Sequence, residues 1–149
     1  ASCQKPVVLI YVQHLLGIGH LRRISFLAVA LANHQFEVHL VSGGMPVSDL
    51  TVTNVQLHQL PPVRATNGSF NELVDDNNQP VDQSWKNRRC EKLLNLFDFI
   101  GPDVLITFPL YTSPTHETKA NLVCRLLLEI KKNNTILYLF FLHLLDHQH

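Results

Sequence analysis

VVLIYVQHLLGIGHLRRISFLAVALANHQFEVHLVSGG, residues 7–44, is the stretch that decides the fold. Its first seven residues, Val7 to Gln13, are apolar and β-branched with almost no alternation, the pattern of a strand buried on both faces of a parallel sheet. The chain then turns at Leu16-Gly17-Ile18-Gly19. From His20 to His34 the residues Leu21, Ile24, Leu27, Ala28 and Leu31 recur at helical spacing, and Ala28, Ala30 and Ala32 permit close packing on a sheet. Phe36 to Val41 reads as a second strand that ends at Ser42-Gly43-Gly44. Strand, glycine turn, helix and strand make one βαβ unit, whose crossover is expected to be right-handed.

Further along, Val55 to Leu60 alternates apolar and polar, as a strand nearer an edge does, and Pro61-Pro62 ends it. Residues 61–83 are rich in turn formers, including Asn67-Gly68 and Asp75-Asp76-Asn77-Asn78, and read as a long loop of the functional or mobile kind. Ser84 is the expected N-cap of a helix reaching Phe99, with Cys90, Leu93, Leu94, Phe97 and Ile100 on one face. Gly101-Pro102 stops that helix, Asp103 to Thr107 is a short buried strand, and Glu117 to Lys132 is an amphipathic helix. The apolar run Thr135 to Leu145 is expected to hold a buried strand. Alternating helices and buried strands imply an α/β, three-layer Rossmann-like domain around a mostly parallel sheet. The loops after residues 13, 42 and 107 should then share the carboxyl rim, where such sheets bind ligands.

Composition narrows the function classes. Twelve basic and twelve acidic residues balance to zero formal charge, which leaves no electrostatic footprint for nucleic acid. Three cysteines, Cys3, Cys90 and Cys124, are odd in number and far apart, a pattern that fits a reducing, cytoplasmic setting better than a disulfide framework or zinc site. The run at Val7 to Val12 is too short for a signal-peptide core. Thr135 to Leu145 falls well short of the roughly 20 residues that span a bilayer as a helix. A membrane-surface segment is the alternative reading of that run, so membrane association is possible but not indicated.

The strongest local signal for chemistry is Gly17-Ile18-Gly19-His20 followed by Arg22-Arg23, where the first strand hands over to the first helix. Two glycines allow backbone to approach a ligand, and free N–H groups at a helix start favour oxygen-rich groups. A dinucleotide fingerprint would need a third glycine where Arg22 stands and an acid near Ser42, so a nicotinamide or flavin enzyme is disfavoured. No phosphate-binding P-loop motif is present. His20 at a helix N-terminus is held toward its neutral form by the helix dipole, which suits a proton acceptor; a surface or capping histidine is the alternative reading. Arg22 and Arg23 read equally as ligand contacts or as a solvated helix face. His143, Asp146 and His147 share helical spacing but lack further ligands, so neither a metal nor a cofactor is expected.

Taken in order and spacing, residues 7–32, VHLVSGG, LPPVRATNGSF, PVDQSWKNRR and PDVLIT resemble a family of bacterial glycosyltransferases. These are similar to the enzyme that adds N-acetylglucosamine to the lipid-linked cell-wall precursor, a GT-B fold. The resemblance implies two Rossmann-like domains facing a cleft, the N-terminal one receiving a hydroxyl acceptor and the C-terminal one holding a nucleotide-sugar donor. It further implies that Gly17, Gly19 and His20 line the cleft, with Arg22, Arg23, Gly43 and Gly44 nearby and His20 as catalytic base. Residues 1–107 carry the likeness and residues 108–149 diverge from it, since Phe108-Pro109 alone echoes the family after Thr107. This chain is therefore expected to be the acceptor-side half of a glycosyltransferase, inactive alone. The alternatives are a subunit of a split enzyme whose partner protein carries the donor domain, a truncated product without activity, and an independent small-nucleotide binder.

Overall fold

The computed structural model describes residues 4–68, 72–108 and 136–139. Five strands form one parallel sheet in the order β3-β2-β1-β6-β7, with β1 Val7–Val12, β2 Glu37–Ser42, β3 Val55–Gln59, β6 Val104–Phe108 and β7 Ile136–Leu139. Helix α1 spans Gly19–Asn33 and α2 spans Gln83–Ile100, while β4 Arg64–Ala65 and β5 Leu73–Val74 make a separate two-stranded antiparallel ribbon. β7 lies parallel to β6 with Ile106 opposite Tyr138, so residues 136–139 join the same sheet as the rest. The expected helix at Glu117 to Lys132, the remainder of the apolar run, Cys3, Cys124 and the His143-Asp146-His147 group lie outside the described residues.

The three layers follow from the two-residue period of β1. Val8, Ile10 and Val12 pack with Val38 and Leu40 against Leu21, Ile24 and Ala28 of α1. Leu9 and Tyr11 pack with Val41 and Leu105 against Leu93 and Phe97 of α2 on the opposite face. A strand buried on both faces needs apolar residues in both registers, which is why Val7 to Val12 shows no alternation. Fully burying side chains such as Leu93 and Phe97 stabilises the fold by about 1.5–3 kcal/mol each.

Two expectations are corrected. The N-cap of α2 is Asp82, not Ser84: the Trp85 backbone N–H donates to Asp82 Oδ1 at 2.7 Å. Ser84 instead lies inside the first turn, where its hydroxyl accepts from Arg88 Nη1 at 2.7 Å. A carboxylate at the cap both satisfies an orphan amide and favours the positive end of the helix. Gly101 closes α2 in the left-handed conformation, its N–H donating to the Phe97 carbonyl at 2.9 Å. The second correction concerns residues 61–83, which are not a plain loop. Val63, Ala65 and Leu73 are buried with Leu15, against Val81 and Trp85, so a few small apolar residues among the turn formers suffice to fix the ribbon. The acidic-amide cluster makes its turn, with Asp75 Oδ1 accepting from the Asn77 and Gln79 amides at 2.9 Å each.

Arg89 is the largest fully buried side chain among the described residues, 1 % exposed. Its Nε donates to the Pro61 carbonyl at 3.0 Å, Nη1 to the Tyr11 hydroxyl at 3.2 Å, and Nη2 to the Gly43 carbonyl at 3.1 Å and to Gln13 Oε1. Four acceptors from three separate segments thus surround one cation, with the Trp85 ring 5.9 Å from the guanidinium carbon. Replacing Arg89 by Met should strand these acceptors and lower the unfolding free energy by about 3 kcal/mol or more, as measured by urea denaturation at an unchanged m-value. A loss below about 1 kcal/mol would show that the network is dispensable.

Candidate ligand-binding site

The carboxyl ends of the strands lie level, since Val12 is opposite both Ser42 and Phe108, and Ser42 is opposite Gln59. β1 is where the strand order turns back, with β2 and β3 on one side and β6 and β7 on the other. Parallel α/β sheets bind ligands outside the carboxyl ends of the strands at such a switch point. Backbone hydrogen bonds knit the segments beyond the strand ends: Gly43 N–H to the Val12 carbonyl at 2.9 Å, Val63 N–H to Gly43 at 3.2 Å, and Ala65 N–H to Leu15 at 3.1 Å. Gln59 adds a side-chain clamp, its Nε2 donating to the carbonyls of Gly44 at 2.7 Å and Leu60 at 2.9 Å.

A cavity of about 240 Å³ opens on this rim, bounded by the loop from His14 to Ile18, by Met45 to Val47, and by Arg64 and Ala65 of the ribbon. Gly17 turns the first loop with φ of +65°, a conformation a β-carbon would strain. Gly19 is the first residue of α1 and exposed, and His20 is its second residue and half-buried. Ile18 stands at the N-cap, and its side chain makes no capping hydrogen bond.

Arg22 is turned to a different surface: its guanidinium pairs with Asp49 at 3.1 Å, both side chains largely exposed, along a groove between α1 and residues 49–53. Arg23 is exposed on α1. Gly43 and Gly44 sit on the rim, but protein side chains occupy the space beside each. A β-carbon at Gly43 would collide with the Arg89 guanidinium and Gln13, and one at Gly44 with the His14 imidazole. The rim therefore brings Gly17 and the N-cap Ile18 together at one cavity, whose lining does not include Gly19, His20 or Arg22, and uses Gly43 and Gly44 for close packing.

Sequence reasoning overlooked His14. It is 4 % exposed, its Nε2–H donates to the Met45 carbonyl at 3.1 Å, and among the described residues its Nδ1 finds no hydrogen-bond partner. A donor at Nε2 leaves the lone pair on Nδ1 in the neutral ring. Burial lowers the His14 pKa below its ordinary value; the bond to Met45 partly opposes this and the nearby His20 adds to it. The signal available in the sequence was its place, two residues beyond a fully buried strand, where the alternation of β1 carries it to the α1 side. Arg64 was overlooked too, because it stood in a segment read as loop.

A second histidine pair lies on the sheet, His39 on β2 and His58 on β3, with His39 Nδ1 3.0 Å from His58 Nε2. Glu37 Oε2 is 3.4 Å from the other ring nitrogen of His39. Burial, and then the charge of His39, lower the His58 pKa. A larger cavity, of about 910 Å³, lies at the opposite, amino edge of the sheet around Lys5, Phe36 and Gln56. It is away from the strand ends at which helix N-termini and turn amides gather. Among the described residues no three His, Cys, Asp or Glu side chains are grouped to hold a metal ion, and no helix is long and apolar enough to cross a membrane.

Because the fold lowers the pKa of His14 and of His58, the unfolded chain binds protons at both before the folded chain does. Their contribution to stability is complete above the ordinary histidine pKa of 6.5 and is lost as pH falls through the folded values. Urea midpoints measured between about pH 7.5 and 5.5 should fall with pH, and His14→Gln should flatten that slope. A midpoint constant over this range would contradict the burial of a neutral His14. No protein-family model matches this chain, and no curated protein matches it in sequence.

Proposed function

We propose that this chain is the acceptor-side domain of a GT-B-type glycosyltransferase, which moves a sugar from a nucleotide-sugar donor to a hydroxyl acceptor. The observation that carries the reading is the position of the Gly17-Ile18-Gly19-His20 turn. It stands at the carboxyl rim of a parallel sheet, beside a cavity and at the switch in strand order, where the resemblance calls for an acceptor cleft. His20 is the candidate base that takes the acceptor's proton, and a neutral imidazole near the positive end of α1 suits that role. The leaving nucleoside diphosphate requires positioned donors that a second Rossmann-like domain provides in GT-B enzymes, either in the same polypeptide or as a partner protein. Balanced charge and the cysteine pattern support a cytoplasmic setting with no nucleic-acid partner. No cofactor is required for such a transfer.

The donor assignment is tested by calorimetric titration of this chain with UDP-N-acetylglucosamine and UDP-glucose. Binding should be no tighter than about 0.1 mM, equivalent to roughly 5 to 6 kcal/mol, and micromolar affinity would move the donor site into this domain. The base assignment is tested in the presence of the donor-binding half. There, His20→Ala should lower kcat by at least about a hundredfold with an unchanged melting temperature, and His34→Ala, at the far end of α1, should leave turnover within about threefold.

A further inference from the structure

Two imidazoles on neighbouring strands share one hydrogen bond. His39 of β2 and His58 of β3 lie on the α2 side of the sheet, since His39 is two residues before Val41 and His58 is opposite Val41. His39 Nδ1 is 3.0 Å from His58 Nε2, the rings are inclined by 19°, and Glu37 Oε2 stands 3.4 Å from His39 Nε2. Carboxylate, buried imidazole and half-buried imidazole thus form a chain that ends on the outermost strand of the sheet. From β1 the residue opposite His39 is the apolar Leu9. Among the described residues the buried face of α2 carries two titratable side chains, Cys90 and Arg89, and the arginine is committed to Pro61, Tyr11, Gln13 and Gly43.

This chain counts protons. A bond between two ring nitrogens needs a proton on one and a lone pair on the other. With both rings neutral, the Glu37 carboxylate draws the His39 proton to Nε2, so His39 Nδ1 accepts from His58 Nε2–H. When one proton is added at His58 Nδ1, the Nε2 proton crosses to His39 and the charge settles beside Glu37. The bond then runs the other way, His39 Nδ1–H donating to His58 Nε2. A second proton takes the last lone pair, leaving two N–H groups and two like charges face to face. Burial, and then the charge of His39, lower the His58 pKa, so the second proton is the costly one.

The bond holds an exposed strand. β3 pairs with β2 alone among the described residues, and none of its five residues is fully buried. Its carboxyl end leads straight to the rim. Gln59 Nε2 donates to the Gly44 carbonyl, the Leu60 N–H donates to Ser42, and the Pro61 carbonyl accepts from Arg89, just before Arg64 and Ala65 border the rim cavity. We infer that Glu37, His39 and His58 form a proton-operated latch on β3, closed with no proton or one and open with two, which loosens one wall of the rim cavity on acidification. The latch depends on the sheet geometry alone, whatever the rim binds.

Long-range proton–nitrogen NMR of the histidine rings and amide hydrogen exchange, both on the intact chain between about pH 8 and 5, test the latch. At the alkaline end both rings should carry the proton on Nε2. On acidification they should titrate in two steps, the first charging His39 and the second His58. Across the second step the opening of β3 amides, corrected for the intrinsic pH dependence of exchange, should rise roughly tenfold relative to β1, the order set by losing one side-chain hydrogen bond. His58→Gln, whose carboxamide donates to a neutral His39 or accepts from a charged one, should abolish that rise. Should the variant fail to fold, the native titration and exchange decide alone. A single step common to both rings, a proton on His39 Nδ1 at the alkaline end, β3 opening that is constant or rises only in step with β1, or an undiminished rise in His58→Gln each overturns the latch.

Discussion

The guanidinium of Arg89 is the fixed point on which the functional rim depends. A cation taken out of water is tolerated only where acceptors replace its hydration, and among the described residues no carboxylate does so. Its partners are instead the Tyr11 hydroxyl, Gln13 Oε1 and the carbonyls of Gly43 and Pro61. These come from the ends of β1, β2 and β3, while the arginine itself comes from α2. One side chain therefore locks the carboxyl ends of three parallel strands to the helix that covers them. The planar fork suits this task, since its donors diverge in fixed directions and a lysine ammonium could not reach the same set.

The strand period divides the work between the two faces. Past Val12 the alternation of β1 continues, so Gln13 joins Arg89 on the α2 side and His14 goes to the α1 side. Past Ser42 the same alternation places Gly43 beside Arg89 and Gly44 beside His14, and neither has room for a β-carbon. Two consecutive glycines thus serve two different neighbours, a buried cation on one face and a buried imidazole on the other. The turn at Gly17 and the N-cap Ile18 of α1 line the same cavity as His14, and the β4–β5 ribbon is held to it through Leu15 and Ala65. The site is consequently built from rigid strand ends rather than from a free loop.

Much of the architecture was legible in the sequence because it depends on local periodicity. Val7 to Val12 reads as doubly buried, α1 and α2 show apolar stripes, and both stripes pack where their spacing directs them. The turn at Gly17-Ile18-Gly19 was legible for a similar reason, since a strand, two glycines and a helix in succession admit few geometries. Arg89 could have been noticed as a charge on the apolar stripe of α2, one turn before Leu93 and two before Phe97. The ribbon at Arg64–Ala65 and Leu73–Val74 was hidden, because strands of two residues show no period and their burial depends on Leu15 and Trp85 from distant segments.

By itself the sequence determined the α/β class, the order of the main strands and helices along the chain, and the turn that faces the carboxyl rim. Each of these follows from hydrophobic period and turn chemistry within a few residues. Tertiary structure alone decided which polar residues meet. It turned Arg22 out to Asp49, filled the space beside Gly43 and Gly44 with Arg89 and His14, and set the His14 imidazole against the Met45 carbonyl. The reason is physical: a hydrogen bond between residues 76 positions apart, as between Arg89 and Gln13, leaves no trace in local spacing and exists only once packing has brought both side chains out of water.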